Sequence, residues 1–106
     1  MDQTIQGFGQ IGVNSISIDN QGNLINANSS GNPLTIDPNA GGMINTGTLR
    51  ASGGGILNLN AAEYTNTSGL IQALAGSEVR FLEGSDVVNG TLTSAGDGLL
   101  LSLIHI

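Results

Sequence analysis

The sequence contains no cysteine, no tryptophan and no lysine, and only two arginines among its 106 residues. Without cysteine, neither a disulfide framework nor a thiolate metal site can form. Eight acidic residues against two basic ones give a net charge of −6, so the chain has no basic patch to attract a phosphate backbone or an anionic bilayer. Apolar runs also stay well short of the roughly 18 residues that a membrane span requires. Nucleic acid binding and membrane insertion are therefore excluded as principal functions.

Charged residues are scarce in general, at 9% of the chain, whereas 39% of the residues are hydrophobic and 17 are glycine. Disordered chains combine low hydrophobicity with high charge, so this composition favours a folded protein. An amphipathic helix would show apolar residues three and four positions apart over eleven or more residues, and no window does so. Frequent glycine would also destabilise any helix. The composition therefore predicts an all-β fold.

The clearest pattern is a short phrase that occurs four times, in which an aliphatic residue is followed by a polar one and then by a small one. Its copies are residues 23–27, 47–51, 69–73 and 90–94. The central aliphatic residues Ile25, Leu49, Ile71 and Leu92 are 24, 22 and 21 positions apart. Such a period is typical of a solenoid, in which each short unit stacks on its neighbours because it cannot bury its apolar face alone.

Two further segments recur in step with this phrase. One reads apolar, polar, apolar, which is the pattern of a strand with one buried face, and its copies are 34–36, 57–59 and 79–81. The other ends in asparagine and occurs at 43–45, 64–66 and 87–89, with 16–20 as an upstream copy. Three short strands per repeat predict a right-handed parallel β-helix of about four coils of 21–25 residues, within a repeat domain spanning 1–100. We expect residues 5–11 to form the first strand of an irregular first coil, and later coils to begin near Pro33, Ile56 and Ser77.

In a parallel β-helix each strand pairs with the strand one coil earlier, so that like side chains stack on like. Four inward ladders follow, with large apolar residues filling the lumen and small ones placed where the coil bends. These ladders are Ile25/Leu49/Ile71/Leu92, Ala27/Ala51/Ala73/Ser94, Leu34/Leu57/Val79 and Ile36/Leu59/Phe81. The polar residues between them are expected to face water.

An asparagine column is expected to supply the chemistry of one corner. Its members are Asn20, Asn45, Asn66 and Asn89. Asparagine tolerates the left-handed backbone conformation and can bond its own backbone around a turn, and stacked amides can bond one another along the solenoid axis. The adjoining glycines are expected to serve the same bends, and these are Gly47, Gly69 and Gly90. A role for the column in sugar binding is the functional alternative.

Residues 5–12 and 19–82 carry a family resemblance, in the phrase N-x-G-x-L-x-A alternating with G-x-L-x-L. The sequence resembles the β-helical repeat region of large bacterial surface and secreted proteins of the adhesin, autotransporter-passenger and filamentous-haemagglutinin type. The similarity covers most of residues 4–98. It implies an extracellular or cell-surface rod, whose export signal and anchor lie outside this sequence. Its partners would be neighbouring coils of the same parent chain, together with host or matrix glycans or proteins. Such coils serve as stalks, adhesive surfaces and enzyme scaffolds, so the resemblance specifies architecture better than function.

The expected function is a structural stalk or adhesive segment without catalysis, cofactor or metal. The alternative is the scaffold of a β-helix polysaccharide-active enzyme or tailspike whose active residues lie elsewhere. In the enzymes that this alternative resembles, the active site is a patch of carboxylates, often with bound calcium, beside an arginine or lysine. Here the nearest acidic grouping is Glu83 and Asp86, with Glu63 one coil earlier, while Arg50 and Arg80 belong to different columns. Solvated turn charge is the expected reading of these acidic residues, with calcium binding as the alternative.

Two other motifs are interpreted structurally. Residues 7–12 match G-x-G-x-x-G, but a β pattern at 13–18 follows where a dinucleotide site needs a helix. Glycosylation acceptor sequences begin at Asn28, Asn66 and Asn89, and they matter only in a eukaryotic source. We therefore expect the glycines of the first motif to turn a coil.

Residues 101–106, LSLIHI, differ in character from the repeat. They are the in-frame translation of CTG TCT CTT ATA CAC ATC, a transposase mosaic-end sequence used in preparing sequencing libraries. This match predicts a non-native, adaptor-encoded tail, which would remove His105, the only histidine, from the natural protein. A final core strand is the alternative, and any other set of codons at these positions would end the adaptor explanation.

Overall fold

The computed structural model describes residues 4–12, 17–60, 62–82, 84–96 and 98–102. Within these ranges the chain forms fourteen short strands in three parallel sheets. Sheet A contains β1 (Thr4–Gly7), β4 (Leu24–Ala27), β7 (Thr48–Ala51), β10 (Leu70–Ala73) and β13 (Thr91–Ser94). Sheet B contains β2 (Gly9–Ile11), β5 (Leu34–Ile36), β8 (Ile56–Leu59), β11 (Glu78–Phe81) and β14 (Leu99–Ser102). Sheet C contains β3 (Ile18–Asn20), β6 (Met43–Asn45), β9 (Glu63–Thr65) and β12 (Asp86–Val88).

The chain visits sheets A, B and C in turn, and each strand pairs in parallel with the strands one coil before and after it, except that the outermost strands pair on one side only. This is a parallel β-helix of about four coils with three strands per coil, as the repeat predicts. Later coils begin where expected, since the sheet B strands start at Leu34, Ile56 and Glu78. The right-handed sense of the winding stays a prediction. Helices that could span a membrane are not found in the described ranges.

The register of the inward ladders is confirmed. Leu49 pairs with Ile25 below it and with Ile71 above it. In sheet B, Leu57 pairs in the same way with Leu34 and Val79. The core is formed by side chains that alternate with outward polar residues along each strand. Its members are Ile25, Ala27, Leu34, Ile36, Met43, Leu49, Ala51, Leu57, Leu59, Tyr64, Ile71, Ala73, Val79 and Phe81.

The last members of two ladders are less buried than the repeat predicts. Leu92 pairs with Ile71 in register but remains 45% exposed, and Ser94 is also exposed. Both lie in β13, the outermost strand of sheet A. Burial in a solenoid requires a coil on each side, so register alone does not bury a side chain in an outermost strand.

The prediction of one first strand over residues 5–11 is wrong. That segment contains two strands, β1 and β2, which pair with β4 in sheet A and with β5 in sheet B. Phe8 lies between them and is 64% exposed. The flanking Gly7 and Gly9 have φ angles of 118° and 120°, a region that favours glycine, so the chain turns a corner here. The repeat therefore extends one corner earlier than the apolar pattern indicates.

The final strand overlaps the tail. Strand β14 runs from Leu99 to Ser102 and pairs with β11, so that Leu100 lies beside Val79. Residues 101 and 102, the first two of the expected tail, thus lie in a strand of sheet B. Residues 103–106, including His105, lie outside the described ranges. The adaptor origin of 101–106 stays a prediction that the nucleotide sequence tests.

Candidate functional site

The interior contains a chain of three hydrogen-bonded side-chain amides at the end of the sheet C strands. Asn20, Asn45 and Asn66 are all buried. Asn20 Nδ2 donates to Asn45 Oδ1, and Asn45 Nδ2 donates to Asn66 Oδ1, each over 2.8 Å. Asn66 Nδ2 then donates to the Thr91 carbonyl over 3.4 Å. We call these three residues the asparagine ladder, and its amides all point the same way along the axis.

Glycines flank the ladder because the chain passes too close for a side chain. A Cβ on Gly47 would lie 2.2 Å from the Asn23 carbonyl oxygen, and one on Gly69 would lie 2.2 Å from that of Asn45. Backbone oxygens cannot retreat as a flexible side chain can. These two glycines are therefore required by close approach. The ladder and its glycines together lock one coil onto the next at this corner.

Part of the prediction for this column is wrong. Among the described non-glycine residues, only Ser68 and Asn89 have a positive φ, so the ladder residues turn the corner without the left-handed conformation. Asn89 does adopt it, with φ of 63°, and its side chain is exposed and outside the ladder. The corner after Asn89 is shorter, since one residue, Gly90, lies between Asn89 and β13, whereas two or three residues lie between each ladder asparagine and the next strand of sheet A. The shorter connection turns the Asn89 side chain outward.

The outward column of sheet A is polar and largely bonded to itself. Asn26, Arg50 and Gln72 stack in register across β4, β7 and β10. Arg50 Nε donates to Gln72 Oε1 over 3.0 Å, and Ser52 Oγ donates to Asn26 Oδ1 over 2.8 Å. Both bonds join neighbouring coils. This face therefore presents an uncharged to weakly basic polar stripe along the solenoid axis.

Among the acidic residues that the structure describes, the stacked pair Glu63 and Asp86 lies on a different sheet from either arginine. Glu63 and Asp86 are exposed and stack in register at the start of β9 and β12 in sheet C. Arg50 lies in sheet A, and Arg80 lies in sheet B, where it pairs with Glu78. Glu83 lies outside the described residues. Among the residues that are described, no group of three or more acidic or histidine side chains is placed to hold a metal ion.

The G-x-G-x-x-G motif lies in the corners of the first coil. Gly7 and Gly9 turn the chain on either side of Phe8, and a Cβ on Gly12 would lie 2.6 Å from the Asp37 carbonyl oxygen. A dinucleotide site requires a helix N-terminus directly after the motif. The described residues that follow it form strand β3 after the undescribed segment 13–16. The glycines therefore have a structural role in coil packing.

Tyr64 is a buried titratable residue that sequence reasoning did not single out. It stacks between Met43 and Val87 inside sheet C and is fully buried. Its hydroxyl donates to the Asn60 carbonyl over 2.6 Å, with the Ile36 carbonyl 3.2 Å away. Burial raises the pKa of Tyr64 far above its ordinary value, and the negative charge of Asp37 raises it further. A buried tyrosine usually finds a hydrogen-bond partner, but the sequence gives no sign of which one.

We expect Tyr64 to make the protein sensitive to alkaline pH. Because the pKa is higher in the folded state, the stabilisation is fully present below the unfolded value near 10 and is lost as pH rises from there through the folded pKa. The free energy of unfolding should fall by about 1.4 kcal/mol per pH unit above pH 10. The chain has one tyrosine and no lysine or cysteine, so no other side chain ordinarily titrates in this range. Urea unfolding at successive pH values measures the slope.

The variant Tyr64→Phe provides the control for this pH dependence. It removes the titrating hydroxyl and should flatten the slope above pH 10, at a cost of about 1–3 kcal/mol at neutral pH from the lost hydrogen bond. Tyrosinate absorbance provides a second readout in the wild type. It should rise only as the circular dichroism signal of the β-strands is lost. Equal slopes for the two proteins would contradict the burial of this hydroxyl.

The described residues thus combine an internal amide ladder with a polar outer stripe, and the stacked pair Glu63 and Asp86 lies on a different sheet from either arginine. Comparisons with protein-family models, with curated proteins and with solved structures found no match.

Proposed function

We propose that this chain is a non-catalytic segment of a structural rod, serving as a stalk or adhesive surface in a large bacterial protein that is secreted or displayed on the cell. The observation that carries the proposal is the continuity of all three sheets from coil to coil. Each coil in such a fold contacts only its neighbours, so the length of a rod scales with the number of coils. The extracellular setting is proposed from the family resemblance of the repeat phrase alone.

Two features of the described residues support a structural role. In the outward column of sheet A, polar side chains form hydrogen bonds between coils, as the Arg50–Gln72 bond illustrates. The ladder from Asn20 to Asn66 is buried and hence inaccessible to a sugar ligand. These groups fix the stacking of coils. Host or matrix glycans or proteins are proposed as partners of the outer polar stripe of sheet A, along with adjacent coils of the parent chain.

The alternative is that these coils are the scaffold of a polysaccharide-active enzyme or tailspike. Its support is the stacked pair Glu63 and Asp86, which lie on one sheet in neighbouring coils. Catalysis by a carboxylate patch also needs a base beside it, and both arginines lie on other sheets. The structural role therefore fits the placement of charge better.

The parent reading frame provides the first test. A structural rod should show many further repeats of 21–25 residues, an export signal and an anchoring domain. A compact reading frame with a carboxylate patch and a neighbouring arginine or lysine would overturn the proposal in favour of the enzyme scaffold. Antibodies raised against this chain provide the second test, since they should label intact source cells or their medium. Labelling that requires permeabilised cells would contradict the extracellular placement.

A further inference from the structure

Asn89 and Gly90 form an unusual corner between β12 and β13. They are the only residues between the two strands, and their φ angles are 63° and 78°. Both are exposed. They also form the only Asn-Gly dipeptide in the sequence. This corner has no part in the rod proposed above beyond connecting two strands.

We propose that Asn89 is a site of spontaneous deamidation. The backbone nitrogen of Gly90 attacks Cγ of Asn89, so that a new C–N bond closes a succinimide ring. The bond from Cγ to Nδ2 breaks, and the proton released by the Gly90 nitrogen leaves with the amide as ammonia. Water then opens the ring at either carbonyl and gives aspartate or isoaspartate. Water is the only co-reactant, and no oxidation or reduction takes place.

The residue that follows each asparagine of the column explains why the reaction selects this position. Glycine has no side chain to hinder ring closure at its own nitrogen. Each residue of the asparagine ladder is followed instead by a residue with a side chain, namely Gln21, Thr46 or Thr67. Branching at Cβ makes threonine stiff and crowds its own backbone nitrogen. Local sequence therefore favours Asn89 over the other members of the column.

Hydrogen bonding protects the ladder further. At Asn45 the side chain is fully buried, and its amide accepts from Asn20 and donates to Asn66 over 2.8 Å. The attacking nitrogen would be that of Thr46, which already donates to the Asn20 carbonyl over 3.0 Å. Ring closure would break all three bonds inside the solenoid. Buried groups left unpaired in this way destabilise the folded state, which slows the reaction at the ladder.

The Asn89 amide is held far less firmly. Its Nδ2 donates to Thr67 Oγ1 over 3.4 Å, near the long limit for a hydrogen bond, and the bond joins exposed groups. Rotation of this side chain toward the Gly90 nitrogen exchanges that bond for bonds to water. The corner can therefore reach the geometry of ring closure without disturbing the ladder.

Deamidation would have a structural consequence at this corner. Isoaspartate adds one methylene to the backbone, yet a Cβ on Gly90 would already lie 1.9 Å from the Asn66 carbonyl oxygen. The corner has no room for a longer path so close to the ladder. The product also adds a carboxylate to a chain with a net charge of −6, three positions after Asp86. We expect β12 and β13 to pack less firmly on β9 and β10 after the reaction.

Peptide mapping tests the proposal on the whole chain. Trypsin cleaves after Arg50 and Arg80, and the peptide 81–106 contains Asn89 as its only asparagine and no glutamine. Folded protein is incubated at mildly alkaline pH, sampled over days and digested. The mass gain of amide-to-acid conversion should appear in 81–106 at a rate about tenfold or more above that in 1–50 and 51–80. The modified peptide should separate into an aspartate form and an isoaspartate form.

Two controls make the result decisive. The variant Asn89→Gln keeps an amide but disfavours the five-membered ring, so its peptide 81–106 should show no mass gain. The isolated peptide 81–106 of the wild type shows how fast the same sequence reacts without the fold. Modification that starts in 1–50 or 51–80 would overturn the proposal. An unmodified 81–106 in the folded protein, under conditions that deamidate the free peptide, would overturn it as well.

Discussion

Replacing Asn45 with aspartate is expected to lower the free energy of unfolding at pH 7 by about 3–5 kcal/mol, the cost typical of an uncompensated buried charge. The new carboxylate could still accept from Asn20 Nδ2, but it would face Asn66 Oδ1 with no proton to offer. Reversing the Asn66 amide would satisfy the carboxylate and turn an oxygen toward the Thr91 carbonyl. The directional ladder therefore has no arrangement that accommodates the charge.

The pH dependence of this variant gives the effect a signature. Burial raises the pKa of the new carboxyl in the folded state above its unfolded value near 4. Its penalty relative to the wild type should therefore be small below about pH 4 and grow as pH rises through the folded pKa. Urea unfolding followed by Tyr64 fluorescence measures the free energy of unfolding of the variant and of the wild type at each pH. A variant that is unfolded at pH 7 and regains the circular dichroism spectrum of a β protein at pH 4 would show a pH dependence of the same sign.

The matched control is Asn28→Asp, which makes the same chemical change at an exposed position. Surface substitutions of this kind usually change stability by less than about 0.5 kcal/mol. A similar loss in both variants would mean that Asn45 is not enclosed between two other amides.

The second large effect is expected from Leu57→Ala. Leu57 is fully buried in sheet B between Leu34 and Val79. Truncating a buried leucine costs about 2–5 kcal/mol, because the neighbours cannot collapse fully into the space. In a β-helix the strands above and below are fixed by their own backbone bonds, which places this site toward the upper part of the range. Urea unfolding at neutral pH measures the change.

Ile44→Ala is the control for this cavity. Ile44 lies in the middle of β6, also stacks between coils, and is 48% exposed on the outer face of sheet C. Its truncation should cost under about 1 kcal/mol, which is the span of strand preferences. Equal losses at Ile44 and Leu57 would contradict the assignment of inward and outward faces.

The fold was predictable because stacking forces like residues into like positions. Period and alternation together identify which strand pairs with which, and the Leu49–Ile71 pairing follows from the spacing alone. Segment 5–11 was harder, because a corner made by Gly7 and Gly9 leaves no trace in an apolar pattern. The exposure of Leu92 also follows from its place in an outermost strand and not from its residue type.

The polar interior was predictable only in part. The asparagine column indicated stacked amides, and three of its four members bond as expected. The position of Asn89 depends on the number of residues in its corner, which the column did not take into account. The partners of Tyr64 are backbone carbonyls, and every residue offers one, so no sequence pattern marks them.

Paired nitroxide labels test the parallel stacking of coils most directly. The chain has no cysteine, so Arg50→Cys with Gln72→Cys introduces the only two thiols. These residues are in register on the outer face of neighbouring strands, which lie about 4.8 Å apart. Labels there should show strong spin–spin broadening, whereas labels at Arg50 and Asn58, closer in sequence but on different sheets, should show much less. Narrow spectra from the 50/72 pair, or stronger broadening from the 50/58 pair, would contradict the β-helix.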